Sequence, residues 1–108
     1  MKKFRVYFVE DAEKNLFDIY SFVAKNDSVD KANDLLEKIE QLTKSLSESL
    51  DRGRIPPELE RIGIFEYKEI HYKSYRIIYQ IIKNKIYVHC ILDGQRDLAE
   101  LLEYRLLR

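Results

Sequence analysis

Tryptophan is absent from this chain, cysteine and methionine occur once each, and its 108 residues hold only three glycines and two prolines. A lone Cys90 supports neither an intrachain disulfide framework nor a thiolate metal cluster, so a hydrophobic core must hold the fold. So little glycine and proline excludes collagen-like repeats and low-complexity linkers. No uncharged apolar run approaches the ~20 residues a helix needs to span a bilayer. An excess of charge of one sign is missing too, since 19 Lys and Arg stand against 19 Asp and Glu. The broad basic surplus that accompanies most nucleic-acid binding is therefore lacking. The opening MKKFRVYFVED reaches acids within its first eleven residues and has no apolar signal-peptide core, so a cytoplasmic location is expected.

What is present suits one folded domain over residues 1–108. The chain is 45% hydrophobic and 35% charged, with eight tyrosines and five phenylalanines, a composition unlike that of disordered segments. Residues 3–9 (KFRVYFV) roughly alternate and are rich in β-formers, which predicts a strand. Asp11 is placed to cap a helix over 12–25, with Ala12, Leu16, Ile19 and Val23 as one apolar stripe. Asn26-Asp27 breaks that pattern, and Ser28 can cap a second helix over 29–49. Its stripe is Val29, Ala32, Leu35, Leu36, Ile39, Leu42 and Leu46. So short a break predicts an antiparallel helical hairpin.

Residues 50–63 hold both prolines and two of the three glycines, and read as irregular. Three β-branched and aromatic segments follow at 65–72, 75–82 and 86–92, separated by Lys73-Ser74 and Lys83-Asn84-Lys85, spacings that suit hairpins. After Asp93-Gly94-Gln95 the pattern returns to helical, with Leu98, Leu101 and Leu102. The expected fold class is α+β: an N-terminal strand, a helical hairpin, a three-stranded antiparallel meander and a short C-terminal helix.

Charge is unevenly spread. Residues 51–85 carry eight basic side chains against five acidic ones, so any polyanion site belongs in the middle of the chain. Most templates for chemistry are missing, including glycine-rich phosphate loops, HExxH, cysteine pairs and serine elbows. His71 and His89 fall on different predicted strands with no metal-ligand spacing, and no metal or cofactor is called for. Cys90 lies in the most apolar strand, where inert core is its expected role.

The remaining signal is charge inside strands that otherwise want burial. Period-two alternation puts Arg76, Ile78 and Gln80 on one face of the central strand, and Ile77, Tyr79 and Ile81 on the helix-covered face. Arg76 and Gln80 are then expected on an open face, where a guanidinium can grip phosphates. If Lys73-Ser74 is a two-residue loop, Glu69 and His71 share that face and Lys68 points away. A one-residue slip reverses this and brings Lys68 beside Arg76. The structural alternative is an exposed Arg–Glu cross-strand pair, worth ~0.2–1 kcal/mol and without chemistry.

The ordered set Lys68-Glu69-Ile70, Tyr75-Arg76-Ile77-Ile78-Tyr79 and Asp93-Gly94-Gln95-Arg96-Asp97-Leu98 resembles the RelE/ParE superfamily of bacterial toxins. Asp11, Ala12, Leu16, Ile19 and the Gly53–Leu59 stretch fit the same resemblance. It implies a toxin of a type II toxin–antitoxin system, neutralised by a cognate antitoxin protein. The RelE-like branch implies a metal-independent endoribonuclease acting on mRNA at the ribosome. Arg76 would then hold the scissile phosphate, Arg96 would stabilise transition-state charge, Lys68 would match a catalytic lysine, and Glu69 could be the general base. The ParE-like branch implies instead a DNA gyrase inhibitor that cuts no RNA, and a decayed toxin would keep antitoxin binding alone. The ribosome-dependent endoribonuclease is the first expectation; Leu102, where many RNA-cleaving members have Tyr or His, and Asp93, where many have His, argue against efficient cleavage and fit either alternative.

Overall fold

The computed structural model describes residues 4–49, 52–93 and 104. Strand β1 spans Arg5–Phe8, helix α1 Glu10–Asn26 and helix α2 Val29–Ser45, with a 3-10 turn at Leu46–Glu48. A one-turn helix α3 follows at Pro57–Glu60, then strands β2 at Tyr67–Tyr72, β3 at Tyr75–Ile82 and β4 at Lys85–Asp93. The expected C-terminal helix lies outside the described residues except for Tyr104, which is helical.

Helix α1 starts earlier than the capping pattern implied. Val9 is its N-cap and makes no side-chain bond, while Glu10, Asp11 and Glu13 lie in the first turn. Asp11 thus acts through its charge near the unpaired N–H groups rather than as the cap. Ser28 does cap α2, its hydroxyl accepting from the Lys31 N–H at 3.1 Å. Tyr20 donates to the Asn33 side chain at 2.8 Å and ties the two helices together.

The sheet order is β1-β4-β3-β2, with β1 parallel to β4 and the other pairs antiparallel. Parallel pairing requires a long crossover, which the helical hairpin begins by returning over one sheet face. Buried Asn15 of α1 accepts the Ile91 N–H at 3.2 Å and fixes that helix on β4. The β2–β3 loop is the two-residue form: Tyr72 pairs with Tyr75, Ile70 with Ile77 and Glu69 with Ile78. Lys73 and Lys83, first in their loops, have φ of 53° and 57°, the left-handed backbone tight hairpins require. Lys85 pairs with Ile82, so the β3–β4 loop is also two residues, one shorter than its sequence suggested.

Two cores result. Under α1 and α2, Ala12, Leu35, Ile39, Leu46, Ile77, Tyr79, Ile86 and Val88 are buried together. On the far face, Leu59 of α3 packs with Tyr67, Ile78, Cys90 and Leu92. A bulge between Ile78 and Tyr79 breaks the alternation along β4. Adjacent His89 and Cys90 therefore both meet far-face residues: the His89 Nε2 lies 3.0 Å from the Gln80 side-chain oxygen, and Cys90 joins the cluster around Ile78. The far face is thus not the open surface the alternation implied. Ile78, Cys90 and Leu92 would stand in water if it were, so the stretch before β2 folds over them. Arg54 and Glu69 exchange two backbone hydrogen bonds, 3.1 and 2.7 Å, that anchor this cover on the β2 edge.

Candidate functional site

Strand pairing sets Glu69 and His71 on β2 next to Arg76 on β3, with His71 directly opposite Arg76. Pro56-Pro57 starts α3, since proline at the first helical position has its φ preset and lacks an N–H that would go unused. The turn brings Glu58 over the same guanidinium. Arg76 donates from Nε and Nη2 to Glu69 at 2.6 and 3.0 Å, and from Nη1 and Nη2 to Glu58 at 2.6 and 2.8 Å. A guanidinium has five N–H donors, so one remains uncommitted. Arg76 is 8% exposed, and the Glu69 side chain is fully buried. Gln80, expected beside Arg76 at an open surface, faces His89 instead.

Glu69 is the hub. One oxygen also lies 2.7 Å from the His71 Nε2, and the other lies 3.7 Å from the Arg54 Nε. A carboxylate can only accept, so the His71 Nε2 donates to it. The Arg76 hydrogen bonds hold the Glu58 carboxyl well down, from an ordinary 4.5 to about 2. The two carboxylates, Glu58 foremost, push the Arg76 guanidinium still further above its ordinary value. Burial depresses the pKa of His89, which favours its neutral form.

Of the four residues singled out from sequence, the structure unites Glu69 and Arg76. Lys68 pairs with Tyr79, and by alternation faces the helix-covered side with Ile70. Arg96 lies outside the described residues. Sequence reasoning passed over Glu58, Arg54 and Arg61. The signal for Glu58 was Pro56-Pro57-Glu58-Leu59-Glu60, a helix start inside the segment read as irregular. Among the described residues no three His, Cys, Asp or Glu side chains gather as a metal site, and no helix is long and apolar enough to cross a membrane.

No curated protein matches the chain by sequence. Its fold is shared with solved structures. The chromosomal ParDE toxin–antitoxin system from P. aeruginosa superposes with a TM-score of 0.72 at 13% identity, covering 88% of this chain and 100% of that one. The RelBE2 toxin–antitoxin complex from Mycobacterium tuberculosis gives 0.64 at 15% identity, covering 86% and 93%. At such identities these likenesses establish the fold. The family model described as ParE toxin of type II toxin–antitoxin system, parDE, matches residues 6–98, most of the chain. By that match the chain belongs to the ParE toxin family of type II toxin–antitoxin systems.

Proposed function

We propose that this toxin acts by binding a protein target, DNA gyrase, and does not cut RNA. The observation that carries the reading is the carboxylate cage around Arg76. Four of its N–H groups are committed to Glu58 and Glu69. A guanidinium that grips a phosphate in the bidentate manner presents two N–H groups to it, and here one is left. Lys68, paired with Tyr79, falls by alternation on the opposite face of the sheet from Arg76, which disfavours their joining on one phosphate. The zero net charge also gives little of the phosphate attraction on which docking to ribosomal RNA depends. In this reading the toxin is cytoplasmic, uses no cofactor, and is held inactive by a cognate antitoxin.

The test is a supercoiling assay with purified gyrase, run beside primer extension on a defined mRNA in a purified translation system. Loss of supercoiling with intact message is expected. New 5′ ends in the A-site codon, appearing only with ribosomes, would overturn the proposal and establish the ribosome-dependent endoribonuclease. Unaffected gyrase, intact mRNA and normal growth on strong induction would mark a decayed toxin that keeps antitoxin binding alone.

A further inference from the structure

Above the Arg76 cage lies a pocket of about 230 Å³, walled by Arg54, Pro57, Glu58, Arg61, His71 and Arg76. Its cations are set for an external ligand in a way Arg76 is not. Arg54 turns its Nε toward buried Glu69, keeps its side chain 65% exposed and lines the pocket. His71 donates from Nε2 to the same carboxylate, which fixes its ring as a wall of the pocket. Arg61 is exposed and its side chain makes no hydrogen bond or ion pair among the described residues, acting on Glu58 only through its field. Arg76 with Glu58 and Glu69 carries one net negative charge, and Arg54 and Arg61 reverse it to one net positive. A fully buried carboxylate thus orients Arg54 and the His71 ring around a cavity of net positive charge.

We propose that Arg54 and Arg61, beside the wall formed by the His71 ring, make an oxyanion site that receives an acidic side chain of a protein partner. The inference rests on the reading above, that the toxin works by gripping protein. Carboxylate is favoured over nucleic-acid phosphate for two reasons. A carboxylate already lies across a guanidinium in this pocket, that of Glu58 on Arg76. A nucleic-acid backbone also needs successive cations along a track. The adjoining pocket adds only Arg52, whose Nη1 is already donated to the Ser45 hydroxyl.

The test is a nuclear magnetic resonance titration of the intact toxin at low ionic strength, following the Arg54 side-chain N–H and the His71 ring. A hexaglutamate peptide and a hexathymidylate strand are the two probes. Saturable shifts with hexaglutamate are expected, with affinity about tenfold weaker in Arg61→Gln, since a charge-assisted contact is lost. The Arg61 side chain has no hydrogen-bond partner among the described residues to lose, so this variant should keep its fold, which an unchanged methyl spectrum would verify. Equal affinity of Arg61→Gln, tighter binding of hexathymidylate, or no shift with either probe would overturn the site. Gyrase inhibition measured on the same samples separates the two readings. Inhibition without peptide binding defeats only this site, and peptide binding without inhibition defeats only the gyrase target.

Discussion

The two faces of the sheet are closed by different physics. Under α1 and α2, two seventeen-residue helices bury a continuous hydrocarbon layer that includes Ile39, Leu46, Ile77, Ile86 and Val88. On the far face the cover is a four-residue helix that delivers one fully buried leucine, Leu59. One turn of helix is far below the length at which helices hold themselves in water. Tertiary contacts must seat α3, and beside Leu59 the chief one is the ionic contact of Glu58 with Arg76. Buried ion pairs often contribute little against a hydrophobic substitute, yet breaking one strands a charge. The apolar face therefore supplies stability, and the charged face sets where one segment sits. That division suits a site, because the cover that must be placed over Arg54 and His71 is positioned by direction-dependent bonds.

Single substitutions should separate the faces. Glu69→Ala leaves Arg76 buried against Glu58 alone and should cost about 3–5 kcal/mol in urea unfolding at neutral pH. Replacing Arg76, Glu58 and Glu69 together by Met, Leu and Leu should restore most of that stability, an exchange with no counterpart on the helix face. If Glu69→Ala costs under about 1 kcal/mol, the network is solvated and the contrast between the faces collapses.

Acid should weaken the far face first. The pKa of Glu58 in the folded state is about 2 against an ordinary 4.5, so the unfolded chain binds more protons between those values. Its contribution, about 2–3 kcal/mol, is complete above pH 4.5 and is lost as pH falls through about 2. His89 adds to the decline at higher pH, because burial lowers its pKa below the ordinary 6.5 and its contribution is complete only above that value. Thermal melts from pH 7 to 2 should show a shallower fall in Glu58→Gln than in wild type. Parallel curves would remove Glu58 from the account.

The smallest expected effect lies where the chain passes from one face to the other. A Cβ on Gly53 would run into the Tyr79 hydroxyl and lie 2.8 Å from its ring carbon Cζ and 3.1 Å from the Glu69 carbonyl oxygen. The Tyr79 ring is buried and has little room to give, so Gly53→Ala should cost about 1–3 kcal/mol in the same unfolding assay. An unchanged midpoint would show that the crossing is loosely packed.

Local pattern was enough to read the helical hairpin, the three antiparallel strands and the loop that sets Glu69 opposite Ile78, because apolar period and loop length act over a few residues. The Glu69–Arg76 pair was legible for the same reason, since register places both on one face. The parallel pairing of β1 with β4 and the bulge in β4 were not, since each depends on strands distant in the chain. Nor was the burial of Arg76. Alternation states which face a side chain takes but not what covers that face, and the cover came from Glu58, eighteen residues away. By itself, then, the sequence determined the first strand, the helical hairpin, the antiparallel meander, their order and the superfamily, all carried by neighbouring residues. Only the tertiary structure decided that the strand arginine is caged rather than presented, because a guanidinium takes whichever carboxylates the fold brings within hydrogen-bond reach.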